Sequence, residues 1–131
     1  MKKIVSNLFF WGIILLLTIA ISPKVFVVVS GSMEPEIKTG SLVFTKSIDP
    51  SQIKVGDIVA FTSPSNPKEA ILHRIFSLKN TSPPTFQTKG DRNKLPDPWD
   101  LMAVGILGKQ AFIIPYIGYI IAFVKTPLGF I

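Results

Sequence analysis

The segment Ser30-Gly31-Ser32-Met33-Glu34-Pro35 places two hydroxyls around one glycine, shortly after an apolar N-terminal stretch. His73, the single histidine of the chain, follows, and after it come two carboxylates, Asp91 and Asp97. A serine hydroxyl is almost inert until a neighbour takes its proton. His73 is the one imidazole that could take that proton near neutral pH. An aspartate on the far ring nitrogen would fix the tautomer and stabilise the imidazolium. Gly31 permits a tight turn, so the Ser32 amide could face a developing oxyanion, with the Ser30 hydroxyl as a second donor. Serine, histidine and aspartate in this order suggest a hydrolase that works at a membrane surface. Each residue alone also has a plain structural reading. A serine beside glycine is commonly a turn residue. His73 shares a strand face with Ile71 and Ile75, where a buried, hydrogen-bonded histidine would be equally at home.

Composition narrows the chemistry. The chain has 131 residues, 47% of them hydrophobic, which is high for one small soluble domain. It contains no cysteine, so disulfides, thiol nucleophiles, Fe–S clusters and thiolate-ligated zinc are excluded. One histidine also argues against a histidine-rich metal site, and no metal or other cofactor is expected. The formal charge is +6, but the lysines and arginines are scattered, with no basic run. Nucleic acid is therefore not an expected partner.

The elements that must position these groups read as a β-rich domain between two apolar segments. Residues 4–21 hold only Ser6, Asn7 and Thr18 as clearly polar members. As a helix they would rise about 27 Å, near the hydrocarbon thickness of a bilayer. Ser22-Pro23-Lys24 makes a poor cleavage site, so residues 1–22 are read as an uncleaved transmembrane anchor rather than a removed leader. Lys2 and Lys3 place its start inside and the following chain outside. Residues 111–124 form a second apolar stretch, broken by Pro115 and Gly118, so 111–131 is expected to be a C-terminal membrane segment. That stretch could span as a short kinked helix, lie in the interface or pack on the domain. Between the two, 23–110 is expected to be the catalytic domain. Strand-like runs at 25–30, 41–46, 57–62, 70–78, 85–89 and 103–107 are separated by turn residues. The predicted fold class is mainly β, a small antiparallel barrel or sandwich, with an N-terminal transmembrane helix and a C-terminal membrane helix. Asp57 opens a strand after a glycine turn and reads as structural.

Four motifs carry a family resemblance: Ser30-Gly31-Ser32-Met33-Glu34-Pro35, Gly56-Asp57-Ile58-Val59-Ala60-Phe61, His73-Arg74-Ile75 and Lys89-Gly90-Asp91-Arg92-Asn93. In this order, behind an N-terminal anchor, they resemble the successive motifs of type I signal peptidases. Histidine stands where the common bacterial branch has its general-base lysine. That is similar to the Ser/His/Asp branch of archaea, the endoplasmic reticulum and some Gram-positive bacteria. Pro115-Tyr116-Ile117-Gly118-Tyr119 also resembles the stretch near the end of this branch. The resemblance implies Ser32 as nucleophile, His73 as general base and Ser30 as side-chain oxyanion donor. It implies Asp97 as the triad acid and gives Asp91 a supporting role. Two features depart from the pattern: Arg92 stands where the family often has Asn, and Asp97 is flanked by Pro96 and Pro98.

The implied reaction is removal of N-terminal signal peptides from exported precursor proteins at small-x-small sites. The implied partners are those precursors and the lipid bilayer. The implied location is a plasma or endoplasmic reticulum membrane, with the catalytic domain on its exoplasmic side. Two other readings remain open at this level: a peptidase dedicated to a few surface or matrix proteins, and an inactive membrane-anchored relative.

Overall fold

The computed structural model describes residues 2–21 and 24–124. A first helix, α1 (Lys2–Ile21), precedes β1 (Lys24–Val27), β2 (Leu42–Lys46), β3 (Ile58–Thr62), β4 (Ala70–Thr81), β5 (Pro84–Lys89), β6 (Leu101–Met102) and β7 (Ile106–Ile114). A short helix, α2 (Ile117–Val124), follows β7.

Among the described residues the strands form one seven-stranded sheet in the order β1-β2-β7-β3-β4-β5-β6, and every pairing is antiparallel. The last long strand therefore inserts between β2 and β3. Strand β3 is covered on both faces, with Val59 and Phe61 in one apolar cluster and Ile58 in another; Ile58, Val59, Ala60 and Phe61 are all buried, so the strand reads as an apolar run rather than an alternation. Strand β4 does alternate. His73 and Ile75 are buried on one face, while Arg74 and Phe76 point to the other.

The expected barrel or sandwich is corrected here to a single open sheet. Edge strands β1 and β6 are four and two residues long and do not pair with each other. Residues 70–73 of β4 pair with β3 alone, because β5 joins β4 only from Arg74 onwards. The outer end of β1 and this half-paired part of β4 border the same cleft. The gap that closure would fill is thus an open groove.

Two other expectations shift. Residues 103–107 were expected as a strand, but Ala103–Gly105 form a 3-10 turn and β7 starts at Ile106. Strand β7 then continues through 111–114, pairing Phe112, Ile113 and Ile114 with Phe44, Val43 and Leu42. These residues were expected to open a membrane segment, and the described helical part of that stretch is α2 alone. Apolar side chains on both faces of β7 made the two readings indistinguishable by pattern. Residues 125–131 of the expected C-terminal segment lie outside the described residues. Among the described residues no helix is long and apolar enough to cross a membrane. The side chains at 16–17 and 19–21, which complete the apolar run of α1 in sequence, are outside that description.

Two apolar clusters hold the sheet. Ile53, Val59, Phe61, Ile75, Phe86 and Leu101 form one. Met33, Ile37, Val43 and Ile58 form the other. Full burial of each large side chain is worth about 1.5–3 kcal/mol. The second cluster matters most for the site, because Met33 and Ile37 come from the loop that carries Ser32. Gly56, at φ +97°, makes the turn into β3 that a side chain would strain. Asp57 beside it accepts the Lys54 amide at 3.0 Å and pairs with Lys109 at 2.8 Å.

Candidate active site

Burial of Met33, 1% exposed, pins the loop after β1 onto the sheet and leaves the adjacent Ser32 half-exposed. Across from it, β4 turns His73 inward beside Ile75. His73 is 7% exposed and sits edge-on to the Phe61 ring, with centroids 6.3 Å apart. The Ser32 hydroxyl lies 3.1 Å from His73 Nε2. On the far side of the ring, Nδ1 lies 2.6 Å from Asp97 Oδ2. Asp97 is itself 6% exposed. When Nδ1–H donates to that carboxylate, Nε2 is left as an acceptor for the serine proton. Serine, imidazole and carboxylate therefore form a continuous hydrogen-bonded line.

The two candidate acids separate by the alternation of β4. His73 faces in and meets Asp97. Arg74, the next residue, faces the other way and takes Asp91. Its Nε and Nη2 donate to the two Asp91 oxygens at 2.8 and 2.7 Å, and its Nη1 donates to the Gly56 carbonyl at 2.8 Å. These bonds hold the Asp91 carboxyl below the ordinary carboxylate range, against partial burial, which pushes it up. Asp91 accordingly does not contact the ring. It braces the strand that carries His73.

Ser30 is exposed, with its hydroxyl 3.3 Å from that of Ser32. Among the described residues the Ser32 amide has no hydrogen-bond partner, whereas its carbonyl accepts the Arg92 amide at 2.9 Å. The loop after β5 approaches so closely that a Cβ on Gly90 would lie 2.7 Å from the Ser32 carbonyl oxygen. Arg92 adds an ion pair to Glu34 at 3.0 Å. This gives the arginine at that position a role, tying the loop bearing Ser32 to the one that leads to Asp97. Among the described residues no group of three or more His, Asp or Glu side chains could hold a metal ion.

The site opens into a cleft of about 720 Å³, bounded by Val27, Val29, Ala70, Leu72, Asn93 and Trp99 as well as the serines and His73. Its walls are chiefly apolar. Residues 1–80 match the family model described as signal peptidase, peptidase S26. The chain belongs to this signal peptidase family. Signal peptidase I W of Bacillus subtilis (strain 168) is 35% identical over 113 residues, which cover 72% of the chain and 58% of that relative. The signal peptidase complex catalytic subunit SEC11C of Homo sapiens is 33% identical over 125 residues, 88% of the chain and 64% of that relative. The putative catalytic subunit SEC11B of Homo sapiens is 32% identical over 123 residues, 86% and 72% respectively. The chain thus spans 58% and 64% of the lengths of the first two relatives. Within the part matched to the signal peptidase model lie Ser30, Ser32 and His73, while Asp91 and Asp97 follow it.

Sequence reasoning missed Thr88, whose hydroxyl donates to Asp97 Oδ2 at 2.5 Å. The signal was present. Thr88 and Phe86 occupy alternate positions of β5 and so share its core face, and a polar group there needs a buried partner. The pairing of Arg74 with Asp91 was likewise not foreseen.

Proposed function

We propose that this chain is a membrane-bound serine endopeptidase that removes N-terminal signal peptides from exported precursor proteins. Ser32 is the nucleophile, His73 the general base and Asp97 the triad acid. Asp91 supports the site through Arg74. The observation that carries this reading is the hydrogen-bonded line from the Ser32 hydroxyl through His73 to Asp97.

In the reaction, Ser32 Oγ attacks the scissile carbonyl while His73 Nε2 takes its proton. The oxyanion is received by the Ser32 amide and the Ser30 hydroxyl. His73 then protonates the departing amine, which leaves an ester on Ser32. Water, deprotonated by His73, attacks the ester and releases the signal peptide, and the proton returns to Ser32. The extended substrate lies in the groove between β1 and the half-paired residues 70–73, adding as a strand. The apolar walls there suit small side chains at the −1 and −3 positions.

The membrane part rests on α1. Twenty residues of helix rise about 30 Å. Leu8, Phe9, Trp11 and Leu15 are 63–72% exposed, so lipid is the natural cover for them. With Lys2 and Lys3 held inside, cleavage takes place on the exoplasmic face at small-x-small sites. Anchoring enzyme and precursor in one bilayer raises their effective concentration.

The test is to follow precursor maturation in membranes carrying the Ser32→Ala chain. The variant should insert normally and leave precursors uncut. Normal maturation removes the nucleophile assignment. The range of precursors that accumulates on depletion separates a general peptidase from a dedicated one.

A further inference from the structure

We propose that Thr88 is a positioning residue that holds the Asp97 carboxylate against His73 Nδ1. This inference rests on the triad reading above. The Thr88 hydroxyl donates to Asp97 Oδ2 at 2.5 Å, and the same oxygen lies 2.6 Å from His73 Nδ1. The Asp97 amide in turn donates to the Thr88 carbonyl at 2.8 Å. One residue of β5 therefore grips the acid twice, once through the main chain and once through the side chain.

The carboxylate needs such a grip. The terminal torsion of an aspartate is broad, so the side chain by itself does not fix which way its oxygens point. Aspartates in loops usually take donors from neighbouring backbone amides. Pro96 and Pro98 flank Asp97 and carry no N–H, so neither can donate. Among the described residues no backbone amide donates to the Asp97 carboxylate, and Thr88 supplies the donor from the sheet, which is more rigid than the loop. Its own position is set by the pairing of β5 with β4, where Thr88 stands opposite Ile75, two residues from His73 on the same face. The strand that carries the base and the strand that carries the clamp are thus hydrogen-bonded neighbours. Thr88 is 0% exposed, so water cannot replace its hydroxyl without repacking.

The experiment uses the full chain in lipid vesicles and a precursor with alanine at −1 and −3. Thr88→Val keeps the shape and removes the hydroxyl. A hydrogen bond to a charged group has a worth that corresponds to a loss of about 10- to 100-fold in kcat, with KM nearly unchanged. Thr88→Ser keeps the donor and should restore most of the rate. Because His73 is the only histidine, a ¹⁵N-histidine label reports on one ring. Its Nδ1–H signal should move in the valine variant and stay close to wild type in the serine variant. If the valine variant does not fold, Thr88→Ala takes its place in both measurements. An unchanged kcat overturns the inference. So does a loss expressed in KM, or one that serine does not restore, because either marks Thr88 as a packing residue only. Ser32→Ala in the same assay separates the two levels. If it still cuts, the triad reading fails. If it is dead while Thr88→Val cuts at the wild-type rate, only the present inference fails.

Discussion

Replacing Asp97 with Asn keeps the size of the side chain and changes what it offers the ring. The carboxylate accepts from Nδ1 over 2.6 Å. The carboxamide can present its NH₂ to Nδ1, which moves the imidazole proton to Nε2. Nε2 then points an N–H at the Ser32 hydroxyl, 3.1 Å away, where an acceptor is required. A misassigned tautomer of this kind costs about 10⁴ in kcat in serine peptidases, or about 5.4 kcal/mol at 1.36 kcal/mol per tenfold. Asp91→Asn acts on a different contact. It weakens the bidentate pairing with Arg74, whose side chain is 34% exposed. The pair is bidentate and partly buried, with the Asp91 side chain 18% exposed, but neither member touches the ring, so the rate loss should be far smaller than that of Asp97→Asn. The assay is the time course of precursor maturation by each variant at matched membrane abundance, with near-ultraviolet circular dichroism to confirm folding. A nearly active Asp97→Asn enzyme beside an inactive Asp91→Asn enzyme refutes the reasoning and exchanges the two roles.

Gly90→Ala should inactivate the enzyme strongly without unfolding it, because the added methyl would stand 2.7 Å from the Ser32 carbonyl and push the nucleophile loop away. Maturation kinetics set beside a melting curve check this. Ser30→Ala should lower kcat by about 10²–10³ with little change in KM, as expected for loss of one oxyanion donor. A pH effect on stability follows from Arg74. Its bonds lower the folded-state value of Asp91 below the ordinary 3.8. The stabilisation is therefore complete above the unfolded value and disappears as pH falls through the lower folded one. The gap in urea midpoint between wild type and Asp91→Asn should be constant near neutrality and shrink progressively below pH 3.8.

That Ser32 and His73, 3.1 Å apart in the structure, could belong to one site was legible because their residue types are rare or distinctively placed: one histidine in the chain, and two serines around a glycine beyond an apolar segment. The choice between Asp91 and Asp97 was not legible from spacing, since both lie in the same stretch after β5. Orientation separates the two. Adjacent residues of β4 point to opposite faces, so His73 and Arg74 each draw one carboxylate to their own side. Most strand positions could be read from runs of Val, Ile and Phe between turn residues. Strand order could not, because β7 pairs with β2 and β3 across most of the chain. The run starting at 111 was misleading for a physical reason. The apolar end of a strand and a membrane segment are both continuous apolar runs, and only the pairing of 112–114 with β2 separates them.

The most direct test of the account is to trap the acylated enzyme with a serine-reactive substrate analogue and locate the adduct by mass spectrometry. The adduct should fall on Ser32, form in the wild-type chain and fail to form in His73→Ala. An adduct on any other residue, or undiminished labelling of Ser32 without His73, contradicts the claim that this imidazole activates this hydroxyl.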